Sequence, residues 1–255
     1  MQAEFEAMPP VPKPPSAKKS GNRNVVIAIA VAAVVAVALI VGSVVLTRGG
    51  GSNDATPTTT GSGASAAAPV ALVAGIPQSG TTLGNPKTLT KMLVYEDLQC
   101  PYCKKFTDDA LPAIIDEYVR PGLVKLDWRG LAFLGPDSTK ALEIALAAGR
   151  QNKLWEVIGL FYEKQGTENS GWVTDQVIDD VLASVPGLDA AKVKADAKSP
   201  AVQKQIAAIQ NEAKVNKVGG TPSFFIVKGV SQPYQLQVAL APEAFRPALN
   251  DALKG

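Results

Sequence analysis

The hydrophobic and polar positions of the chain follow different patterns before and after about residue 70. An apolar run without any charged residue extends from Val25 to Leu46. As a helix this run would be about 33 Å long, enough to cross a hydrocarbon core of about 30 Å. Four Lys or Arg residues precede it, and only Arg48 follows closely. Because positive flanks stay in the cytoplasm, the pattern predicts a single-pass anchor with a cytoplasmic N-terminus.

A cleaved signal peptide is the alternative to an uncleaved signal-anchor. Its apolar region is normally about 7–15 residues long, shorter than this run. Ala66-Ala67-Ala68 resembles a cleavage site but lies far downstream of the run, so the pattern favours the anchor. Residues 1–24 are rich in Pro and Lys, which predicts a disordered cytoplasmic tail. Residues 47–69 are Gly, Ser, Thr, Ala and Pro with few large side chains, which predicts a flexible linker.

Residues 70–255 have the length of one domain and mix strand and helix patterns. The patterns predict strands at residues 70–73, 89–96, 123–129, 223–227 and 234–239. They predict helices at 101–119 with a kink at Pro112, at 138–148 after a Ser138 cap, at 153–164, at 175–184 after Thr174, shortly after Asp189, at 200–217 after Ser199 and at 242–253. This order predicts an α/β sheet with a helical insertion of about residues 137–217.

The amino-acid composition limits the kinds of functional site that the chain can form. The chain contains no His and only two Cys, which excludes His-ligated zinc sites, Ser-His-Asp triads and Cys-His nucleophile pairs. Two cysteines cannot staple a disulfide-rich miniprotein. The net charge of +2 gives no argument for a nucleic acid partner.

The two cysteines form a C-x-x-C motif, Cys100-Pro101-Tyr102-Cys103, where a predicted strand ends and a predicted helix begins. Free amides and the helix dipole stabilise an anion at a helix N-terminus, so the pKa of Cys100 should be lowered. Cys100 is then the attacking nucleophile. Cys103, one helical turn later, can close a disulfide with it or resolve a mixed disulfide with a substrate.

Other interpretations of the motif remain open. As a purely structural disulfide it would close too small a loop to remove much unfolded-state entropy. Zinc requires four ligands, although two thiolates could hold Cu(I), so a copper carrier remains an alternative. A degenerate, inactive domain is the third alternative. The position at a strand-to-helix junction favours a redox-active pair.

A second element lies far downstream, where Gly219-Gly220-Thr221-Pro222 directly precedes a predicted strand. Proline at the start of a central strand donates no ladder hydrogen bond. A cis Thr221–Pro222 bond would turn the chain and expose backbone that could pair with an extended substrate beside Cys100. An ordinary trans turn fits the local sequence equally well.

The run YEDLQCPYCKKF, followed downstream by GGTPSFFIV, resembles the DsbA-like branch of the thioredoxin superfamily. The stretches GIPQSGTTLGNP, FLGPDSTKALEIALAAG, KLWEVIGLFY and ENSGW are similar to membrane-anchored versions from Gram-positive and actinobacterial cell envelopes. C-P-Y-C also occurs in glutaredoxins, but the helical insertion and the anchor argue against them.

This resemblance implies a thioredoxin-like fold, thiol–disulfide exchange on exported polypeptides that carry cysteines, and a cis bond at Pro222. It implies that Cys100 is an exposed nucleophile, that Cys103 is a buried resolving thiol, and that the pair needs no cofactor beyond its own disulfide. It also implies a quinone-linked membrane partner of the DsbB or vitamin-K-epoxide-reductase type that reoxidises the pair.

Two positions depart from the family pattern. The best-known DsbA proteins have His where this chain has Tyr102, which has no positive charge at neutral pH. We therefore expect a less depressed Cys100 pKa and a less oxidising couple than in those proteins. Many relatives have a buried acid where this chain has Val94. Glu96 is the candidate proton acceptor for Cys103, against the alternative that Glu96 and Asp97 are solvated strand-end carboxylates.

The sequence therefore predicts a membrane-anchored, extracytoplasmic oxidoreductase that introduces disulfides into exported proteins. An extracytoplasmic reductase of the same fold is the alternative among enzymes. A tethered Cu(I) carrier or a peptide-binding chaperone is the non-enzymatic alternative.

Overall fold

The structure, a computed structural model, describes residues 67–254. The predicted cytoplasmic tail, the predicted membrane span at 25–46 and nearly all of the predicted linker lie outside these residues. Among the helices of residues 67–254, none is long and apolar enough to cross a membrane.

The described residues form six strands and nine α-helices. The strands are β1 (Gln78–Ser79), β2 (Thr82–Leu83), β3 (Thr90–Glu96), β4 (Lys125–Gly130), β5 (Ser223–Lys228) and β6 (Tyr234–Leu236). The helices are α1 (Ala68–Val73), α2 (Pro101–Asp109), α3 (Leu111–Ile114), α4 (Pro136–Gly149), α5 (Leu154–Glu163), α6 (Asp175–Ala183), α7 (Ala190–Asp196), α8 (Pro200–Val215) and α9 (Pro242–Lys254). One π-helical turn, Ile115–Val119, follows α3.

The strands form one mixed sheet in the order β1-β2-β4-β3-β5-β6. β3 is central, parallel to β4 and antiparallel to β5. Six of its seven residues are buried, as expected for a strand covered on both faces. The register pairs Tyr95 with Ser223, so the residues after β3 and those before β5 meet at one end of the sheet. This arrangement positions the C-x-x-C motif beside the Thr221–Pro222 segment.

The helical insertion consists of α4 to α8, which connect β4 to β5. Three of the predicted caps are confirmed. The side chains of Thr174, Asp189 and Ser199 accept hydrogen bonds from the backbone N–H three residues later, at the starts of α6, α7 and α8. Such caps satisfy backbone donors that a helix start leaves free, which is why they are readable from sequence.

The prediction of a first strand at residues 70–73 is wrong, because these residues belong to α1. Proline occupies the first turn of this helix, where its missing N–H does no harm. Val70 and Val73 are three residues apart and buried on one helical face. A four-residue apolar stretch fits either period, and packing decides between them. α1 thus includes residues 68 and 69, which the sequence assigned to the predicted linker. The β1–β2 hairpin, made of two-residue strands, is too short to predict from the sequence.

The helix predicted at 101–119 is interrupted twice, first by a break after Asp109 and then by the π-helical turn at Ile115–Val119. α2 ends at Asp109 and α3 starts at Leu111, because Pro112 has no N–H to continue the ladder. The predicted Ser138 cap is also wrong, since Gly135 is the capping residue and α4 begins at Pro136. The hydroxyl of Ser138 instead donates to Asp97 Oδ1 at 2.6 Å. Finally, β6 ends at Leu236, three residues earlier than predicted.

Candidate active site

The C-x-x-C motif lies where the central strand ends and α2 begins. Cys100 is the N-cap residue of α2, and its backbone N–H donates to Asp97 O at 2.9 Å. Cys103 is one turn further on and fully buried, whereas the side chain of Tyr102 is 64% exposed. Cys100 itself is only 5% exposed, so the expectation of an exposed nucleophile is wrong. Its Sγ lies beneath the chain at Thr221, 3.4 Å from the carbonyl oxygen there, to which the protonated form of the thiol donates.

The pKa values of the two thiols are shifted in opposite directions. The pKa of Cys100 is lowered from 9.0 to about 6, chiefly because the Cys103 thiol donates a hydrogen bond to its sulfur. Burial opposes this shift, and the Thr221 side chain and the backbone N–H groups of Tyr102 and Cys103 support it. The pKa of Cys103 is raised well above 9.0, first by burial and then by donating to Cys100. At neutral pH Cys100 is therefore mostly thiolate and Cys103 is a thiol.

The Thr221–Pro222 segment faces Cys100 across this end of the sheet. Its peptide bond is cis, as the resemblance implied. The Ser223 hydroxyl donates to Gly220 O at 2.7 Å and helps to hold the turn before β5. A groove of about 460 Å³ runs along Tyr102, Thr221 and Pro222 toward the segment around β6. The structure thus brings the motif and the distant proline segment together beside one open groove.

Glu96, the last residue of β3, is 1% exposed. Its Oε2 accepts a hydrogen bond from Trp128 Nε1 at 2.9 Å, while its Oε1 has no hydrogen-bond partner among residues 67–254. Burial raises the pKa of Glu96 to about 8, against the lowering effect of Trp128. The charge of Glu96 in turn raises the pKa of Cys103. Glu96 is therefore a buried, largely protonated acid near Cys103, and the alternative of a solvated carboxylate is wrong.

Asp97 is also fully buried, but it points to a different environment. Its Oδ1 accepts from Gln99 N at 2.9 Å and from the Ser138 hydroxyl, and its Oδ2 accepts from Phe133 N at 2.7 Å and Leu134 N at 3.2 Å. A buried carboxylate requires such donors. Asp97 therefore joins the motif loop to the loop after β4 and to α4, a positioning role that sequence reasoning missed.

Residues of the insertion also support the motif, and sequence reasoning did not single them out. Gln165 Nε2 donates to Leu98 O at 2.8 Å and to Cys100 O at 3.3 Å. Gln99 Oε1 accepts from Asn169 N at 2.7 Å. The ENSGW stretch at residues 168–172, which includes Asn169, carries a family resemblance and is the sequence signal that could have pointed to this loop. The loop between α5 and α6 thus fixes the backbone that carries Cys100.

Metal binding is the other chemistry that two neighbouring thiols allow. Cys100 and Cys103 are the only thiols of the sequence. Across residues 67–254, no group of three or more Cys, Asp or Glu side chains is arranged to hold a metal ion.

A family model described as thioredoxin matches residues 78–249 of the chain. The match spans the sheet, the motif, the insertion and most of α9. The chain therefore belongs to the thioredoxin family.

Among curated relatives, the probable disulfide bond formation protein D of Bacillus anthracis is 24% identical over 159 residues, covering 60% of this chain and 71% of that protein. The Bacillus cereus protein of the same description is 26% identical over 155 residues, covering 60% and 72%. Together with the site, these relatives identify the chain as a thiol–disulfide oxidoreductase.

Solved structures agree on the fold. Oxidised BdbD of Bacillus subtilis has a TM-score of 0.61 and 19% identity, with 71% of this chain and 98% of that chain covered. DsbA of Chlamydia trachomatis has a TM-score of 0.58 and 16% identity, with 67% and 90% covered. The resemblance to DsbA-like proteins expected from the sequence is confirmed.

Proposed function

We propose that the domain oxidises pairs of cysteine thiols in exported polypeptides by transferring the Cys100–Cys103 disulfide to them. One observation carries the proposal, namely the pKa of about 6 at Cys100 beside a Cys103 pKa raised well above 9.0. A stabilised Cys100 thiolate stabilises the reduced pair, and a couple whose reduced form is stabilised is a better oxidant.

In the first step, a substrate thiolate attacks Cys100 Sγ of the oxidised pair. A substrate–Cys100 disulfide forms, the Cys100–Cys103 bond breaks, and its electron pair goes to Cys103. Because Cys103 has a raised pKa, its sulfur takes a proton, and Glu96, with a pKa of about 8, supplies it at neutral pH. Glu96 then regains a proton from solvent.

In the second step, another substrate thiolate attacks the substrate sulfur of the mixed disulfide. Cys100 leaves as a thiolate, which its low pKa favours. The substrate has lost two electrons and two protons and gained a disulfide, and the domain has become a dithiol. The groove along Tyr102, Thr221 and Pro222 is the proposed seat of an extended substrate segment, which the Thr221 backbone can pair with.

The proposed location is the outer side of a membrane, with residues 25–46 as the anchor and the N-terminus in the cytoplasm. The uncharged run and its basic flank support this orientation.

Each cycle leaves a dithiol that must lose two electrons. A quinone-linked membrane oxidase of the DsbB or vitamin-K-epoxide-reductase type is the proposed partner for this reaction.

The reduction potential of the pair, equilibrated against glutathione buffers, tests the proposed direction. Thioredoxin combines a pKa of about 7 with about −270 mV, and DsbA combines about 3.5 with about −120 mV. With its Cys100 pKa of about 6, the domain should lie between them, less oxidising than DsbA. A potential above about −180 mV supports the proposal, and one below about −240 mV would favour the reductase alternative.

A further inference from the structure

The nucleophile of the proposed reaction is covered by a loop. Cys100 is only 5% exposed, and the carbonyl oxygen of Thr221 lies 3.4 Å from its Sγ. Thr221 belongs to residues 217–222, which connect the end of α8 to β5 and are called the covering loop below. Disulfide exchange requires another sulfur to approach Cys100 Sγ. The position of the covering loop therefore decides how a reagent or a substrate reaches the nucleophile.

The middle of the covering loop has little packing that could fix its position. Gly219 and Gly220 are exposed, and a Cβ added to either would meet no atom of the described residues within 4 Å beyond its chain neighbours. Lys217 has a φ of 55°, a left-handed conformation that a residue with a Cβ keeps only when its surroundings hold it. The position of the loop is therefore set at its two ends.

Tyr95, in the central strand β3, contacts both ends of the covering loop. Its backbone is paired in register with Ser223, the first residue after the loop. Its side-chain hydroxyl accepts a hydrogen bond at 2.9 Å from Nδ2 of Asn216, the last residue before the loop. Tyr95 is fully buried, and its ring packs edge-on against Phe225 with the ring centroids 5.5 Å apart. The buried ring therefore holds the hydroxyl at a fixed place in the core.

Two other contacts lie near the ends of the loop. Arg129 Nε donates to Glu212 Oε2 at 2.7 Å and attaches the last turns of α8 to β4. The Ser223 hydroxyl donates to Gly220 O at 2.7 Å, within the other end. Each of these contacts acts at one end alone, whereas Tyr95 joins the two ends to one residue of the central strand.

We propose that Tyr95 is a positioning residue that holds the covering loop over Cys100. The inference goes beyond the proposed function, because it concerns the access to Cys100 in either direction of exchange. Loss of the hydroxyl frees one end of the loop, so Cys100 is uncovered for a larger fraction of the time. The net contribution of one neutral hydrogen bond corresponds to a change of about fivefold in such an equilibrium.

Two effects of opposite sense follow. A small reagent needs only an uncovered sulfur, so it should react faster when the loop is loosened. An extended substrate that pairs with the Thr221 backbone needs the loop in place, so it should bind more weakly. A general loss of stability does not produce this combination.

The first measurement uses the full chain, reduced, purified in detergent and treated with iodoacetamide at pH values from about 5 to 9. Cys103 is fully buried and its pKa is raised, so mass spectrometry of the singly labelled chain follows Cys100. The plateau rate above the Cys100 pKa of about 6 reports access to the thiolate, separately from any change in that pKa. Tyr95→Phe keeps the ring and removes the hydroxyl. We expect it to raise the plateau rate by about fivefold.

Matched variants separate this hydrogen bond from other effects. Tyr118→Phe removes a tyrosine hydroxyl that donates to Asn250 Oδ1 at 3.1 Å, away from the loop, and should leave the plateau rate unchanged. Asn216→Ala removes the proposed bond from its other side and should match Tyr95→Phe. Asn211→Ala, at an exposed position of the same helix, is its control. The double variant of Tyr95 and Asn216 should label no faster than either single variant, because both lose the same bond.

The second measurement uses a short synthetic peptide that carries two cysteines, oxidised by the full chain with oxidised glutathione as the final acceptor. Tyr95→Phe should raise the KM for the peptide by about fivefold and leave kcat unchanged. This measurement alone rests on the proposed function. A wild-type chain that does not oxidise the peptide would end the proposed function, and iodoacetamide labelling would still decide the role of Tyr95.

A wild-type plateau rate in Tyr95→Phe would overturn the proposal. So would an equal acceleration in Tyr118→Phe, or a double variant in which the two effects multiply, since these indicate general loosening of the fold. Faster labelling with an unchanged KM for an oxidised peptide would also contradict it. If Tyr95→Phe does not fold, the comparison of Asn216→Ala with Asn211→Ala tests the same bond.

Discussion

The burial of Glu96 predicts a specific dependence of stability on pH. Glu96→Gln replaces the acid with an amide of the same shape that can still accept the hydrogen bond from Trp128 Nε1. The amide does not titrate. The difference in unfolding free energy between wild type and variant therefore isolates the cost of keeping this carboxyl protonated in the folded protein.

The magnitude follows from the shift of the Glu96 pKa from 4.5 to about 8 on folding. Because the folded pKa is the higher one, the wild-type stability is fully present below pH 4.5 and is lost as the pH rises through 8. The slope between these values is about 1.4 kcal/mol per pH unit. Between pH 4.5 and pH 7 the difference in unfolding free energy should therefore shift in favour of the variant by about 3 kcal/mol.

Urea unfolding of the reduced domain, at several pH values from about 4 to 9, measures this difference. The fragment must begin ahead of Ala68 so that α1 is retained. Cys100, whose folded pKa is lowered, acts in the opposite sense above pH 6, but it is present in both proteins. Parallel stability curves for wild type and Glu96→Gln would refute the reasoning, because they would mean that Glu96 is not buried as a neutral acid.

Three further predictions concern the same site. Thiolate absorbance should show Cys100 half-ionised near pH 6, and a midpoint near an ordinary thiol value of about 8.5 would contradict the geometry. Tyr102→His places a side chain that can carry positive charge beside the helix N-terminus, so it should lower the Cys100 pKa by about one unit, measured by thiolate absorbance, and raise the reduction potential, measured against glutathione buffers. Trp128→Phe removes the donor to Glu96 Oε2, so infrared titration should find the Glu96 pKa above 8, and an unchanged value would be evidence against that contact.

Local signals account for the parts of the fold that were predicted well. β3, β5, α6 and α8 follow from apolar runs, turn residues and side-chain caps that act within a few positions. α1 was missed because the apolar stretch at 70–73 fits a strand or a helix equally well. Its helical state depends on packing against α5, which no local signal records.

In the candidate site, too, the local features could be predicted from the sequence, whereas the contacts between distant residues could not. The strand-to-helix junction at Cys100 is a local feature, so its chemistry could be inferred from the motif. The contact with Thr221 joins residues far apart in sequence, and only the family resemblance favoured it over an ordinary turn. The burial of Glu96 and Asp97 depends on Trp128 and on the loop after β4, so their environment became visible only with the fold.

The redox state of the Cys100–Cys103 pair in growing cells tests the proposed direction of exchange most directly. Rapid acid quenching followed by alkylation with a mass-adding thiol reagent separates the disulfide from the dithiol. A dithiol oxidase is kept oxidised by its electron acceptor, so the account predicts that most of the chain resists alkylation until it is reduced. A chain that is alkylated at both cysteines at steady state would contradict this account and would identify a reductase.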